Sequence, residues 1–466
     1  MTPPTCARQW VSDVFGLAVR TLRHRTGGFV ASFLSMFLGA TVIMSFAAML
    51  DTAGGAGVDA VSEETLVTMA SVVGGWGLVI VLGAVISTMT LSVRQRASEM
   101  ALLKSVGATP FQVGRMIVGE AAVVGVVASL LAVPLAAGGG WFLLEMLQET
   151  DQVADGVGYA FGPAALSIGI GVTMLAAVGG AAATARRTVR MRAKEAMTAA
   201  ALESGRLSRK RVIAAIVFIA VGINCGILTA TVFDGKGIDA MQTAGQASIW
   251  FSIGLALLGP VLVRPVTALL AGPLRLIGGS SGYLAVENVR RRTQQMAGAL
   301  MPIILFTGIA TGTLYMQSIE NGAPPVAGSS IPPDEAQAIE TLNFVVIGML
   351  SVFAAIMVIN TLVASTTYRR REFGQQRLVG STPPQVLGMV GMEGVVLAAA
   401  GVLFGSIGSI VTVFPYSLAR TGELLPDTTL AIYLGIVSTA AVLTLASCLG
   451  AARKAIGVPA VQAVAV

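Results

Sequence analysis

The chain has 466 residues, of which 55% are hydrophobic and only 12% charged, with a formal net charge of +6. An ordinary soluble domain carries about 25% charged residues, and a chain this apolar could not cover its own surface in water. The proportions exclude a soluble globular protein and point to one integral to a membrane.

A helix crosses the roughly 30 Å hydrocarbon core with about 20 apolar residues. Ten runs of 22 residues or more lack Asp, Glu, Lys and Arg: 26–50, 65–93, 121–144, 156–185, 212–233, 240–263, 293–319, 341–368, 394–419 and 428–452. None alternates as a barrel strand would, so each is predicted to be a helix, which satisfies its own backbone in lipid. Arg20, Arg23 and Arg25 precede the first run. At 25 residues that run exceeds the roughly 7–15 of a signal-peptide core, so it reads as a retained anchor.

The charges test this count. With a cytoplasmic N-terminus the inside segments are 1–25, 94–120, 186–211, 264–292, 369–393 and 453–466, and they hold 28 of the 30 Lys and Arg. The outside loops hold only Lys236 and Arg420 among the bases, yet 16 of the 24 acids. Basic segments stay inside, so the pattern predicts ten helices with both termini cytoplasmic. The three cysteines are odd in number; Cys225 and Cys448 fall within predicted helices and Cys6 on the reducing side, so no disulfide is expected.

The first inside segment between spans is too polar for lipid. Residues 96–106 lack Pro and Gly and favour a helix; Gly107 suits a left-handed cap and Pro110 prevents continuation. One stripe of that helix is Glu99, Leu102, Leu103, Val106. The same segment recurs 273 residues later. Arg96 meets Arg369, Glu99 meets Glu372, and Val106-Gly107 meets Val379-Gly380. Thr109-Pro110 meets Thr382-Pro383, Gln112-Val113 meets Gln385-Val386, and Met116 and Glu120 meet Met389 and Glu393. That makes ten identities in 25 positions, and the second stripe, Glu372, Gln375, Gln376, Val379, is the wetter. A second patch matches at offset 267, "LAVRTLRHRT" from Leu17 against "LAVENVRRRT" from Leu284.

The chain therefore reads as an all-α membrane protein with two copies of one four-span unit. Each copy enters from the cytoplasm, so the repeats are parallel and related by a pseudo-twofold axis along the membrane normal. The expected divisions are a first repeat over 1–195, a linker with a two-helix insert over 196–275, and a second repeat over 276–466. The insert has no evident role beyond a scaffold.

Arg-x-x-Glu, a base five residues on and a Gly three residues after that, set between two spans, resembles the FtsX-like (MacB-type) permeases of ABC transporters. The N-terminal "LAVRTLRHRT" is similar to their amphipathic entry helix. The likeness covers nearly the whole chain except 196–275. It implies that the cytoplasmic helices couple the permease to a separate ATPase. Glu99, Leu103 and Gly107, with Leu102 and Val106 of the same stripe, would meet one ATPase copy. Glu372, Gln376 and Gly380, with Val379, would meet the other. No phosphate-binding loop sequence occurs in the chain, so ATP and Mg belong to that partner.

Glu120 and Glu393 stand at the cytoplasmic starts of two spans. They read either as part of a gate or coupling relay, or as interfacial carboxylates that pair with Arg115 or another nearby base or are simply solvated. Asn224, Gln242 and Gln246 suit hydrogen bonds between helices. His24 alone cannot make a metal site. The nine bases of 186–211 suit anionic lipid, and no nucleic-acid partner is expected.

The outer loops 51–64 and 320–340 have 14 and 21 residues, too few for the extracellular domain that many relatives carry there. The resulting expectation is a permease of the bacterial cytoplasmic membrane that exports or extracts a hydrophobic or amphipathic compound, a peptide antibiotic or lipid among the candidates. The alternatives are a non-transporting regulator that relays ATPase state outward and a secondary transporter. The latter needs ionisable residues at the membrane midplane, and the ten runs have none. No catalytic or metal constellation is present in the sequence.

Overall fold

The structure is a computed structural model. It describes residues 26–75, 105–190, 207–233, 238–323, 369–426 and 429–465, with a few single positions at 78, 85 and between 341 and 362. Among these every regular element is a helix. Eight helices are long and apolar enough to cross a membrane. The predicted spans 65–93 and 341–368 lie largely outside the described residues.

The first unit holds α1 (Thr26–Ala53), α2 (Ala60–Thr68, continued by a π turn over Met69–Val73), α3 (Pro110–Glu149) and α4 (Pro163–Arg190). Helices α1, α3 and α4 pack on one another, burying Met36, Ile43, Val124, Ala128 and Ala177 between them. Lipid offers no hydrophobic drive between helices, so small residues and hydroxyls bring them together. Ser45 Oγ donates to the Ala136 carbonyl across the α1–α3 seam at 3.1 Å.

Six residues on, in the last turn of α1, Asp51 caps α4. Its carboxylate accepts from the N–H groups of Gly162 (3.0 Å), Ala164 (3.0 Å) and Ala165 (2.8 Å). Those are orphan donors of a helix start, and a carboxylate there also meets the positive end of the helix dipole. Asp51→Ala is expected to cost about 0.5–2 kcal/mol, the range for a lost N-cap, read as a lower thermal midpoint in detergent. Ser62 Oγ accepts from Ala154 N–H at 3.0 Å, so the two acidic loops 51–64 and 145–155 meet at one end of this unit.

The second unit holds α5 (Arg209–Thr231), α6 (Ile238–Leu257), α7 (Gly259–Arg291), α8 (Thr293–Gly322), α9 (Arg370–Leu378), α10 (Pro383–Thr421), α11 (Leu430–Ile456) and α12 (Ala460–Ala465). Helix α10 is its axis and touches α5, α6, α7, α8 and α11. Glycines make the close approach to α8 possible. A Cβ at Gly405 would lie 2.5 Å from Thr307 Cβ and 3.0 Å from the Ile304 carbonyl; one at Gly401 would lie 2.2 Å from Ile303. Gly405→Val is expected to push the two helices apart at about 1–3 kcal/mol, the usual range for overpacking, checked by thermal unfolding in detergent.

The inserted pair α5 and α6 is built into this bundle. Ser248 N–H donates to Thr412 Oγ1 at 2.9 Å, and that hydroxyl donates to the Ala244 carbonyl at 2.6 Å. A Cβ at Gly308 would strike Ser252 Oγ at 2.3 Å.

Three boundaries differ from the sequence expectation. The run 240–263 is not one span: α6 stops at Leu257 and α7 begins at Gly259. Pro260 lacks the N–H that a continuing helix would need and suits a helix's first turn instead. The segment 264–292, expected to lie wholly at the cytoplasmic face, belongs to α7, which has the length and composition of a span. Its backbone nevertheless reverses at Gly279 (φ 53°, ψ −124°). The second arm folds back so closely that a Cβ at Gly282 would sit 1.9 Å from the Leu274 carbonyl. Lastly, the spans expected to begin at 121 and 394 are the apolar middles of the 40-residue α3 and the 39-residue α10. At about 1.5 Å per residue each runs well beyond a 30 Å core.

Candidate functional site

The Gly-Xaa-Thr-Pro sequence builds the same turn in both units. Gly107 and Gly380 adopt φ of +104° and +108°, the left-handed conformation that ends a helix and that side chains with a Cβ resist. Two residues on, Thr109 opens α3 and Thr382 opens α10, each in a reciprocal capping box with the glutamine three residues later. Thr109 N–H donates to Gln112 Oε1 at 2.9 Å and Gln112 N–H to Thr109 Oγ1 at 3.3 Å. Thr382 N–H donates to Gln385 Oε1 at 2.8 Å. The motif thus starts the next helix as well as stopping the previous one. The Thr-Pro-x-Gln signature was readable as a helix start.

The turns present apolar side chains to solvent. Val106 is 88% exposed and Val379 90%. Phe111 beside the first and Leu378 beside the second are also exposed. Neither Phe111 nor Leu378 lies on the two stripes; the available signal in the sequence was their closeness to Gly107 and Gly380. Glu99, Leu102 and Leu103 lie outside the described residues. Of the second stripe, Val379 and Gln375 reach solvent freely. Gln376 is half-buried, its amide 3.9 Å from the Met389 sulfur. Glu372 is engaged within its own chain, accepting from Arg292 Nη2 at 2.7 Å and Arg369 Nε at 3.5 Å.

Beneath the second turn lies a buried charge node. Glu393, 3% exposed, receives both Nη groups of Arg369, 5% exposed; the Nη2–Oε1 distance is 2.9 Å. Asn288 of α7 donates to the same carboxylate at 2.9 Å. The Arg369 guanidinium stacks 5.0 Å over the Phe373 ring. Burial alone would lower its pKa, but the Glu393 charge beside it prevails and holds it above the ordinary arginine value. At the other end of α9, Arg377 Nη1 donates to the carbonyls of Ile456 and Val458, both at 2.8 Å. Glu393 is thus paired with a base, Arg369, and is not solvated. The corresponding Glu120 in α3 is also buried, 5% exposed.

The family model for the C-terminal region of FtsX-like permeases matches this chain twice, over residues 71–193 and 344–460. Together these cover just over half of its residues. The chain belongs to the FtsX-like permease family. The two matches begin 273 residues apart, the offset at which the sequence repeats. This FtsX-like permease is accordingly a multi-pass membrane protein and a transport subunit rather than a hydrolase; such permeases generally work with ABC ATPases. No curated protein matches the chain.

Proposed function

We propose that this FtsX-like permease is the membrane subunit of an ABC transporter whose separate ATPase, in two copies, docks on the turns at Val106-Gly107 and Val379-Gly380. The observation that carries the reading is the turn itself, built twice with a left-handed glycine, a capping box and an exposed valine. A turn held at both ends and tipped with apolar side chains is a rigid knob, and a knob of that kind needs a pocket on a partner. Glu372 and Gln376 act beneath the knob, and Glu99, Leu102 and Leu103 would support the first one.

In this reading the chain crosses the membrane ten times, as two parallel four-span repeats over 1–195 and 276–466 about an axis along the membrane normal. The intervening 196–275 contributes α5, α6 and the first arm of α7, with the α7 hairpin at the cytoplasmic face. Both termini are cytoplasmic and the membrane is the bacterial cytoplasmic membrane. ATP and Mg bind the partner. The short outer loops favour a cargo drawn from the membrane itself, hydrophobic or amphipathic.

The test is reconstitution in nanodiscs with the ABC ATPase encoded beside the permease. The account expects stable co-purification and ATP hydrolysis stimulated by the permease. An ATPase that neither binds nor responds would overturn it. Hydrolysis stimulated without movement of any hydrophobic peptide or lipid between leaflets would favour a regulator over a transporter.

A further inference from the structure

We infer that Arg369 is a positioning residue that locks the docking turn to the transmembrane helix, so that α9, α10 and the second arm of α7 move as one body. The inference deepens the docking reading and rests on it for its functional meaning, but the joint itself is a property of this chain alone.

Three helices meet at the node. Arg369 caps the start of α9 and Glu372 lies in its first turn. Glu393 belongs to α10 and Asn288 to α7, and Arg292 is the cap residue between α7 and α8. Arg369 reaches Glu393 with both Nη groups and Glu372 with Nε. Glu393 takes a further bond from Asn288, and Glu372 a further bond from Arg292. Every charge in the set is answered by a charge on another segment. A buried pair of this kind resists separation, because parting it would leave both charges desolvated and alone.

Position makes the joint mechanical. Glu393 lies ten residues from the start of α10 at Pro383, about 15 Å from the turn at 1.5 Å per residue, with about 42 Å of helix beyond it. A push on the turn therefore reaches a helix that traverses the bilayer. At the far end α10 is fastened again, where Glu320 of α8 accepts from Tyr416 OH and from Arg420 Nε, the latter at 2.8 Å.

The sequence supplies an independent argument. All four charged members of the node occur twice: Arg292, Arg369, Glu372 and Glu393 match Arg25, Arg96, Glu99 and Glu120 at the two repeat offsets. Docking alone would require the exposed turn to recur. It would not require a buried carboxylate two to three helical turns below it to recur as well.

The test uses the full-length protein in nanodiscs with its three cysteines replaced and a nitroxide on Val379→Cys. The spectrum is expected to show slow, ordered motion. Arg369→Gln should shorten the rotational correlation time severalfold. The exchange Arg369→Glu with Glu393→Arg should restore it. Arg292→Gln, at the half-exposed edge of the node, spares the buried pair and should give an intermediate loosening, which keeps the test decisive if Arg369→Gln does not fold. Unchanged mobility in the folded variants would overturn the joint.

A second readout separates positioning from mere folding. With the partner ATPase present, Arg369→Gln should leave its binding affinity within a factor of two while permease-stimulated hydrolysis is lost. If the label loosens but stimulation persists, the joint stands and the coupling role of the turn fails.

Discussion

Glu393→Ala is expected to destabilise the protein by about 3–5 kcal/mol, the cost of breaking a buried ion pair by removing one partner. The change leaves the Arg369 guanidinium, 5% exposed, facing a cavity with no counter-charge, and frees the Asn288 amide as well. Glu372 compensates only in part, since its contact to Arg369 is 3.5 Å and it already serves Arg292. Replacing both members with apolar residues of similar volume, Arg369→Met with Glu393→Leu, should recover most of that loss, because the desolvation of both charges disappears with them. The two variants separate stability from transmission: the double variant should fold like the parent yet leave the turn loosely held. Thermal unfolding in detergent reads the first quantity and label mobility at the turn the second. A single variant within about 1 kcal/mol of the parent would show that the pair is not buried as described.

Val106→Asp together with Val379→Asp is expected to abolish docking without harming the fold. Both side chains are almost fully exposed, at 88% and 90%, and exposed substitutions usually stay within about 0.5 kcal/mol. In a partner's pocket the balance reverses. Each valine surrenders about 1.5 kcal/mol of apolar burial, and each new carboxylate must be desolvated without a partner. Affinity changes tenfold for each 1.4 kcal/mol or so, so the pair of changes should weaken ATPase binding by about 100-fold or more. Each single variant should lie between, and the ratio of the two reports whether the turns bear equal load. The exposed neighbours of the two turns differ: Phe111 follows the first turn where the second copy has Pro384, and Leu378 precedes the second where the first copy has Ser105.

The helices were legible because their apolar runs are long and the charges between them change sign from loop to loop. Their ends were not. Cutting at charges truncated α3 and α10 at Glu120 and Glu393, since a charge ends a span only when it seeks water. Here each carboxylate is buried, and that of Glu393 is neutralised by Arg369. The break at Gly259-Pro260 and the reversal at Gly279 sit inside or beside apolar sequence and alter no charge, so hydropathy passed over both. The insert looked dispensable because topology did not require it. Its Ser248 and Ser252 lie against Gly308, Gly312, Gly408 and Thr412 of other helices, packing that only the folded bundle reveals.

For the site, the repeat was the more informative signal and the stripe the weaker one. Matching the copies singled out Arg369, Glu372 and Glu393 together, although nothing in the spacing said that they touch. The stripe placed Glu372 and Gln376 beside Val379 on one outward face. In the structure the first two point toward their own chain, because Arg292, Arg369 and Met389 lie within reach. Arg115, the nearby base considered for Glu120, aligns with Gly388 in the second copy, so a pairing common to both copies could not have used it.

The most direct measurement is accessibility at the two turns. Single cysteines replacing Val106 and Val379 in a cysteine-free background are treated with a membrane-impermeant maleimide, in intact cells and in inside-out vesicles, with and without the ATPase. The account predicts that both positions react only from the cytoplasmic side and that the ATPase shields both. Labelling of either from outside, or of one from each side, would contradict it.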